Sequence, residues 1–545
     1  MARTSPVASD ALSAAGVPNQ PQSLLVSRLA ILGLSAAVAL LALAARWPNA
    51  LLIPAFTDET DQITFALRVA RGEILPLTHN NTYMGIVYPY LLAALFKVFG
   101  PSAAVARGMM VAAGVLLAGG VTWLAWAMAR VVWADSAGGR SIRPSPAAPV
   151  LLASLTASCL TATSFPLTVL NSHVAWSNDL TPLFTTLALG ATWHAVLHER
   201  PWRLVASGVV WGLALQTHPS ALGPLLGVVV WALLQPVGRA WLRTRWAWLA
   251  VGGVLLGYAN MIVYNVLYAG RSLADVSDPR RTFVPAAGVG DYLARLGSVA
   301  AQLGRMLAGA YTPFDGDSVA ASVTPAVALF ALLGLAALAW GARRRTTAIL
   351  PLAALTTALV FPLLTNGFTS LYSSRYLAPA LVLVYVAMGL TAVELAARAR
   401  RAWMRPALAA VVVLLIIWPL AAINAFYAES QARGLTNEPF LAIAAAAREA
   451  AAQGGLVLVD KSFDDVKLGG GGTSSRAILL LLTLDGIPYQ AAPVDKMRYF
   501  LANSQAPVFL VLGEKVATDL SAGFPLTPTD LVAPSYRVYT SPAAK

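Results

Sequence analysis

The chain has a single cysteine in 545 residues, Cys159, and it lies inside an apolar run. That excludes a disulfide framework within one chain and a metal site built from cysteine, and it leaves the redox compartment undetermined. Charge is also scarce, at 12% of residues against 57% hydrophobic. A soluble domain of that composition could not bury its apolar surface, so the chain reads as a polytopic membrane protein. The charge that remains is lopsided, with 38 Lys and Arg against 25 Asp and Glu and a net charge of +13. Such an excess can mark nucleic-acid binding. Here, however, many arginines sit in short clusters between apolar runs, where they set membrane orientation, and no nucleic-acid partner is expected.

A spanning helix needs roughly 20 mainly apolar residues, and about eleven segments qualify. They lie near 27–46, 104–133, 148–166, 179–197, 203–218, 220–236, 246–268, 323–342, 347–365, 376–397 and 406–426. The first follows a long polar stretch and lacks a small-residue cleavage site, so it reads as a retained anchor rather than a signal peptide. The arginine clusters are Arg140 and Arg143; Arg200 and Arg203; Arg239, Arg243 and Arg245; Arg343 to Arg345; and Arg398, Arg400, Arg401 and Arg405. With a cytoplasmic N-terminus, all of them fall on the cytoplasmic side. The same topology puts 47–103, 269–322 and the tail from 427 outside, and function is expected there.

The first outer segment opens with Asp58, Glu59 and Asp61 just beyond the first span. Ile63, Ala66, Leu67 and Ala70 then recur at helical spacing, which predicts an amphipathic interfacial helix over 58–73. A second is predicted over 85–99, stopped by Gly100-Pro101-Ser102. Beyond Tyr427 the pattern changes. Helices near 437–453, 474–485 and 495–504 alternate with the apolar runs Leu456–Asp460 and Pro507–Leu512, which predicts a small α/β unit with a parallel sheet over 427–545. The Ala- and Pro-rich residues 1–25 read as a disordered cytoplasmic N-terminus.

This order of features resembles the GT-C glycosyltransferases: one span, an outward Asp-Glu pair opening an amphipathic helix, a second interfacial helix ending in Phe-Gly, then a helix with an early arginine, Arg107. Within that superfamily the likeness is to the protein O-mannosyltransferase and lipid A aminoarabinose transferase group. Gly212-Leu213-Ala214-Leu215-Gln216-Thr217-His218-Pro219 and Ser374-Arg375-Tyr376-Leu377-Ala378-Pro379 are further echoes. The resemblance covers roughly 25–426 and implies a GT-C-like catalytic module over 26–426, with the α/β unit outside. It also implies transfer, with inversion, of a sugar from a polyprenyl-phosphate donor to a protein, lipid or glycan acceptor on the outer face of a prokaryotic plasma membrane. Physical chemistry is compatible, because nucleotide sugars are confined to the cytoplasm whereas a flipped lipid carrier presents an activated sugar at the membrane rim.

Sugar transfer needs a base for the acceptor proton and a positive environment for the departing phosphate. The resemblance makes Asp58 the base and Glu59 a helper or metal ligand. The bland alternative is that these acids only cap the helix, since carboxylates are favoured at a helix N-terminus. Asp61 reads as a solvated face residue. Arg375, with Tyr376, His218 and Arg107, is the candidate donor-phosphate set, because a guanidinium makes paired hydrogen bonds to phosphate; arginine is equally at home as an interfacial anchor. His79, Asn80, Tyr83, Tyr88 and His173 are candidates for sugar or acceptor contact. Cofactors are undetermined. A divalent metal on Glu59 or His218 is open, but Glu59, His79, His173, Asp179 and His218 share no metal-ligand spacing. Asn81-Thr82-Tyr83-Met84-Gly85 also stands where aminoarabinose transferases often carry Glu-Lys-Pro.

The glycine run Gly469 to Gly472 before Thr473-Ser474-Ser475 could cradle phosphate, though it lacks the lysine of a phosphate loop. Asn80-Asn81-Thr82 fits a glycosylation acceptor pattern. A lipid-linked sugar or small-molecule transporter or flippase is the rival class. Against it, charge gathers at the outer loops rather than at the midplane, and no paired Gly/Pro-interrupted segments are found. A membrane scaffold with a partner-binding outer domain is the third reading.

Overall fold

In the computed structural model, residues 21–137, 147–276, 284–309, 325–364, 372–398, 403–461, 467–469 and 472–544 are described. Most of the expected N-terminal disorder lies outside them, as do Arg140, Arg143, Arg400, Arg401, part of the 269–322 loop, and Gly470 and Gly471.

The membrane-type module is helical throughout. Its helices are α1 (Pro21–Arg46), α2 (Glu59–Ala70), α3 (Val87–Phe99), α4 (Ala103–Ala137), α5 (Ala147–Thr163), α6 (Phe165–Val169), α7 (Thr181–Leu197), α8 (Pro201–Thr217), α9 (Leu222–Leu234) and α10 (Pro236–Trp241). There follow α11 (Arg245–Gly257), α12 (Ala259–Leu267), α13 (Arg271–Val276), α14 (Val289–Ala308), α15 (Pro325–Gly341), α16 (Ile349–Leu364), α17 (Ala378–Arg398) and α18 (Met404–Ala432). Local chemistry sets the boundaries. Gly100 closes α3 at φ 83°, a left-handed backbone that a side chain resists. The Ser102 hydroxyl then accepts the Val105 N–H at 3.1 Å and starts α4.

The expected count of about eleven spans is not confirmed. Among the described residues, five helices are long and apolar enough to cross a membrane, or six if α11 and α12, bent by 67° at Tyr258, count as one. Other expected spans are shorter: α8 has 17 residues and α9 has 13. At about 1.5 Å per residue they fall short of a hydrocarbon core about 30 Å thick.

Small residues let these helices approach closely. Gly208 and Gly212 of α8 lie against Gly253 and Gly257 of α11, and a Cβ on any of the four would collide with the backbone of the opposite helix. Indole N–H groups tie the end of the bundle near the α15–α16 turn: Trp193 donates to the Thr346 carbonyl at 2.8 Å and Trp231 to the Arg345 carbonyl at 2.7 Å. Buried without a carbonyl, each would lose a hydrogen bond that apolar surroundings cannot replace.

The tail begins with α19 (Glu438–Ala452), β1 (Leu456–Asp460), β2 (Lys467–Gly469), β3 (Gly472–Thr473), α20 (Ser474–Leu484) and β4 (Tyr489–Ala492). It continues with α21 (Val494–Asn503), β5 (Val508–Leu512), α22 (Glu514–Ser521), β6 (Thr527–Ala533) and β7 (Tyr536–Ser541). The five-stranded sheet runs β4-β1-β5-β7-β6. It is mixed rather than purely parallel: β1 pairs parallel with β4 and β5, and β7 pairs antiparallel with β5 and β6. The antiparallel hairpin escapes a periodicity reading because its strands, half exposed at the sheet edge, carry no continuous apolar run. Phe440, Ile443, Ile478 and Leu481 cover one face of the sheet, and Met497, Leu501, Val516 and Leu520 cover the other. The β2–β3 hairpin leads into α20.

Helix α20 lies against α2. Arg476 pairs with Asp61 at 2.9 Å, and Arg71 donates to the Thr483 carbonyl at 3.2 Å. Asp61 is thus not merely solvated, although about half of both partners remains exposed and such a pair contributes little on its own. The stronger tie is Asn437, fully buried ahead of α19. Its Oδ1 accepts the Phe56 N–H at 2.8 Å, its Nδ2 donates to the Leu51 carbonyl at 2.7 Å and the Pro54 carbonyl at 3.3 Å, and its own N–H donates to the Leu52 carbonyl at 2.9 Å. The loop leading to the acids is thereby bound to the start of the tail.

Candidate active site

The adjacent acids Asp58 and Glu59 have opposite surroundings. Glu59 is fully buried, paired with Arg107, and its Oε2 also accepts the Ala175 N–H at 2.7 Å. Arg107, equally buried, donates through all five N–H groups. Two go to Glu59, and the others reach the carbonyls of Ala50 at 3.0 Å, Leu51 at 3.2 Å and Pro54 at 3.0 Å. Its guanidinium also lies 4.7 Å over the Phe56 ring. Arg107 thus spends all its donors within the protein, and Glu59 accepts three hydrogen bonds there, an arrangement that suits the positioning role expected of Glu59. A guanidinium has five donors and no more.

Asp58 occupies the N-cap position of α2, yet its side chain makes no capping hydrogen bond. Its Oδ1 is buried and has no donor. Burial raises its pKa from 3.8 to about 6, against the pull of the Arg375 guanidinium and the Trp176 indole. A capping role for this carboxylate is therefore absent from the structure, and a proton-accepting oxygen is left facing inward.

Opposite Asp58 stands Arg375, in the short 3₁₀ turn Tyr372–Leu377 before α17. Its guanidinium lies 3.6 Å over the Trp176 ring, and it donates to the Tyr376 hydroxyl at 3.2 Å. It stands in the field of Asp58, Asp179 and Tyr83. A flat guanidinium stacked on an aromatic face holds its donors in one plane, the geometry that matches a carboxylate or phosphate and that a lysine cannot reproduce. The His218 ring stacks on Tyr376 at 4.5 Å and 11°, with Tyr83 edge-on to it at 6.2 Å, while its Nδ1 accepts the Ser220 N–H at 3.0 Å. Arg375, Tyr376, His218 and Tyr83 are thus brought together beside Asp58.

The remaining candidates are dispersed. Tyr88 is buried and donates to the Ala175 carbonyl at 2.6 Å; burial, with Glu59 and Asp179 nearby, pushes its hydroxyl far above the usual range. His79 is buried between Phe65 and Tyr88, its Nδ1 accepts the Asn81 N–H at 3.3 Å, and burial pushes its pKa down to about 3. Asn80 is exposed, and its Oδ1 accepts the same N–H at 3.0 Å. His173 lies under the 46–54 loop instead, 2.8 Å from the Ile53 carbonyl and 2.6 Å from the Arg46 carbonyl, with its ring stacked on Tyr427 at 5.8 Å. That position is part of the loop's support. Among the described residues, no group of three or more His, Cys, Asp or Glu is placed to hold a metal.

The structure adds residues that the sequence reading did not assign to the site. Asp179 faces Arg375 and has a buried Oδ2 without a donor, while its Oδ1 accepts Asn171 Nδ2 at 3.2 Å. Trp176 supplies the platform for Arg375. The signal was present as a polar run, Asn171-Ser172-His173 and Ser177-Asn178-Asp179, interrupting apolar sequence beside a span. Gln216 acts at the rim. Its backbone and side-chain oxygens accept the Gly85 N–H at 2.7 Å and the Ile86 N–H at 3.1 Å, which fixes the start of α3 to α8.

No family model matches the chain, and no curated protein matches it by sequence. Among solved structures it is similar to ArnT from Cupriavidus metallidurans bound to undecaprenyl phosphate, over 96% of this chain and 98% of that one, with a TM-score of 0.54 and 13% identity. It is likewise similar to ArnT from the same organism in the apo state, over 96% and 99%, with a TM-score of 0.52 and 14% identity. At such identity the likeness is one of fold, and that fold agrees with the GT-C resemblance read from the sequence.

Proposed function

We propose that the chain is a membrane glycosyltransferase that moves a sugar from a polyprenyl-phosphate-linked donor to an acceptor on the outer face of the membrane. The observation that carries this reading is an undonated carboxylate oxygen on Asp58, facing an aromatic-mounted arginine in a fold shared with a protein crystallised with undecaprenyl phosphate. Asp58 takes the proton of an acceptor hydroxyl whose oxygen attacks the anomeric carbon. The bond from that carbon to the phosphate oxygen breaks, and its electron pair leaves with the polyprenyl phosphate. Arg375 meets the charge that develops there, with Tyr376 and His218 holding its plane. Attack from the face opposite the leaving group inverts the anomeric centre. Glu59 and Arg107 act by fixing the loop on which Asp58 stands.

The chain in proteoliposomes, supplied with polyprenyl-phosphate sugars and hydroxyl acceptors, should release free polyprenyl phosphate as the glycoside forms. Movement of the lipid-linked sugar across the bilayer with no new bond would overturn the assignment.

As a base, Asp58 works ionised, so kcat/KM should fall as the pH drops through about 6. A profile that stays flat down to about pH 5 would remove this carboxyl from the reaction. Replacing Arg375 with Ala should raise the KM for donor about 10- to 100-fold, the equivalent of roughly 1.5–3 kcal/mol for hydrogen bonds to a charged group. Unchanged donor affinity in a binding titration would contradict the phosphate role.

A further inference from the structure

Helix α8 runs from Pro201 to Thr217 and ends beside His218, so its N-terminal half marks the end of the bundle away from Asp58. There α7, α8, α9, α10 and α11 form a half-open slot of about 200 Å³, walled by Val196, Leu204, Val228, Val229 and the indoles of Trp211 and Trp241. Two hydroxyls also line it, and both are satisfied. Thr192 and Ser207 share a hydrogen bond at 2.5 Å, the hydroxyl that accepts it donates to the Ala188 carbonyl, and Trp211 donates to Thr192 at 3.2 Å. Water would find no hydrogen-bond partner on such walls, which favour an apolar occupant. The slot suits an alkyl chain.

Its mouth has a different character. The α10 turn lays Gly238, Trp241 and Leu242 into the slot, while Arg239, Arg243 and Arg245 of the same segment are exposed. Arg200, also exposed, opens α8 at this end. Glu199 is the one acid between Leu180 and Ala274. Among the described residues, none of these four arginines makes an ion pair with a carboxylate. Nearby His198 is held below its usual range by burial and then by Arg203, Arg200 and Arg130, which reports the positive field.

We propose that this slot holds an acyl chain of an anionic phospholipid from the leaflet at the arginine end, with its phosphate met by Arg239, Arg243 and Arg245. An apolar slot opening directly onto uncompensated arginines matches the two halves of such a lipid, and basic residues near a membrane surface each contribute about 1 kcal/mol toward anionic headgroups. A polyprenyl-phosphate donor is the wrong occupant, because its phosphate has to reach Arg375 at the opposite end. The site is thus separate from the transfer reaction.

Native mass spectrometry of the full chain, released from bilayers of phosphatidylglycerol and phosphatidylcholine with matched acyl chains, tests the proposal. One phosphatidylglycerol should remain bound in preference to phosphatidylcholine. Each substitution among Arg239→Gln, Arg243→Gln and Arg245→Gln should lower that preference about five-fold, the equivalent of about 1 kcal/mol. Val229→Trp, which fills the slot and leaves the arginines in place, should abolish retention of the bound phospholipid. The thermal unfolding transition of each variant serves as the control for folding, and a variant that fails it is replaced by Val229→Phe or by single arginine changes. Equal retention of both lipids, retention unchanged by the arginine or slot substitutions, or recovery of a polyprenyl lipid that Val229→Trp displaces would each overturn the assignment.

Discussion

Asp58→Asn should lower the transfer rate about 10²- to 10⁴-fold, the range a positioned general base contributes, with donor binding little changed. Asparagine keeps the shape of the side chain and removes the proton-accepting charge, so the loss should lie in kcat rather than in KM. Stability should move the other way. A carboxyl whose folded pKa is about 6, above the unfolded 3.8, destabilises the fold once it ionises, so wild-type stability falls as the pH rises from about 4 and levels off above about 6. The Asp58→Asn variant never ionises at this position and should be at least as stable as wild type at neutral pH, and equal to it at about pH 4. Kinetics and thermal unfolding on the same preparation separate the two effects. Near-normal turnover in a folded Asp58→Asn variant would end the base assignment, and a variant unstable only at neutral pH would reverse the sign argued for the burial of Asp58.

The second large effect is on folding. Arg107→Ala should destabilise the chain by about 3–5 kcal/mol, the usual result of leaving one charge of a buried pair alone. Glu59 would keep the Ala175 N–H but lose its counter-ion, and the carbonyls of Ala50, Leu51 and Pro54 would lose their donors together. Removing both charges, as Glu59→Gln with Arg107→Met, should recover part of that loss, because no buried charge is then unpaired. A double-mutant comparison of thermal unfolding in detergent distinguishes this from a phosphate role, which predicts full stability and weakened donor affinity for Arg107→Ala. Wild-type stability in the single variant would refute the structural role.

Much of this was legible in the sequence for a local reason. Apolar run length, the 3.6-residue period behind Ile63, Ala66, Leu67 and Ala70, and the stop at Gly100-Pro101 are properties of neighbouring residues, and the helices around them form accordingly. Bent and short helices were not legible. The break at Tyr258 lies within an apolar stretch that reads as one span, and the close approach of α8 and α11 through Gly208 and Gly253 depends on which helices meet in the fold. Nor was the place of Asp179, because a lone carboxylate near a span acquires its meaning from Arg375, which a different part of the chain supplies.

By itself the sequence determined the solvent this protein folds in, the helical class and the α/β character of the tail, because composition and periodicity are set residue by residue, and it offered Asp58 and Glu59 as candidates. Only the tertiary structure decided between the two acids. Asp58 and Glu59 are neighbours of the same chemistry, and no local pattern tells them apart. Arg107, 48 residues away, closes on Glu59 and draws it into the packing. Asp58, turned toward Arg375 and the Trp176 ring, keeps an oxygen that nothing in the protein donates to. Which carboxylate is engaged and which is left open depends on distances between segments remote in sequence, and those distances exist only once the chain has packed.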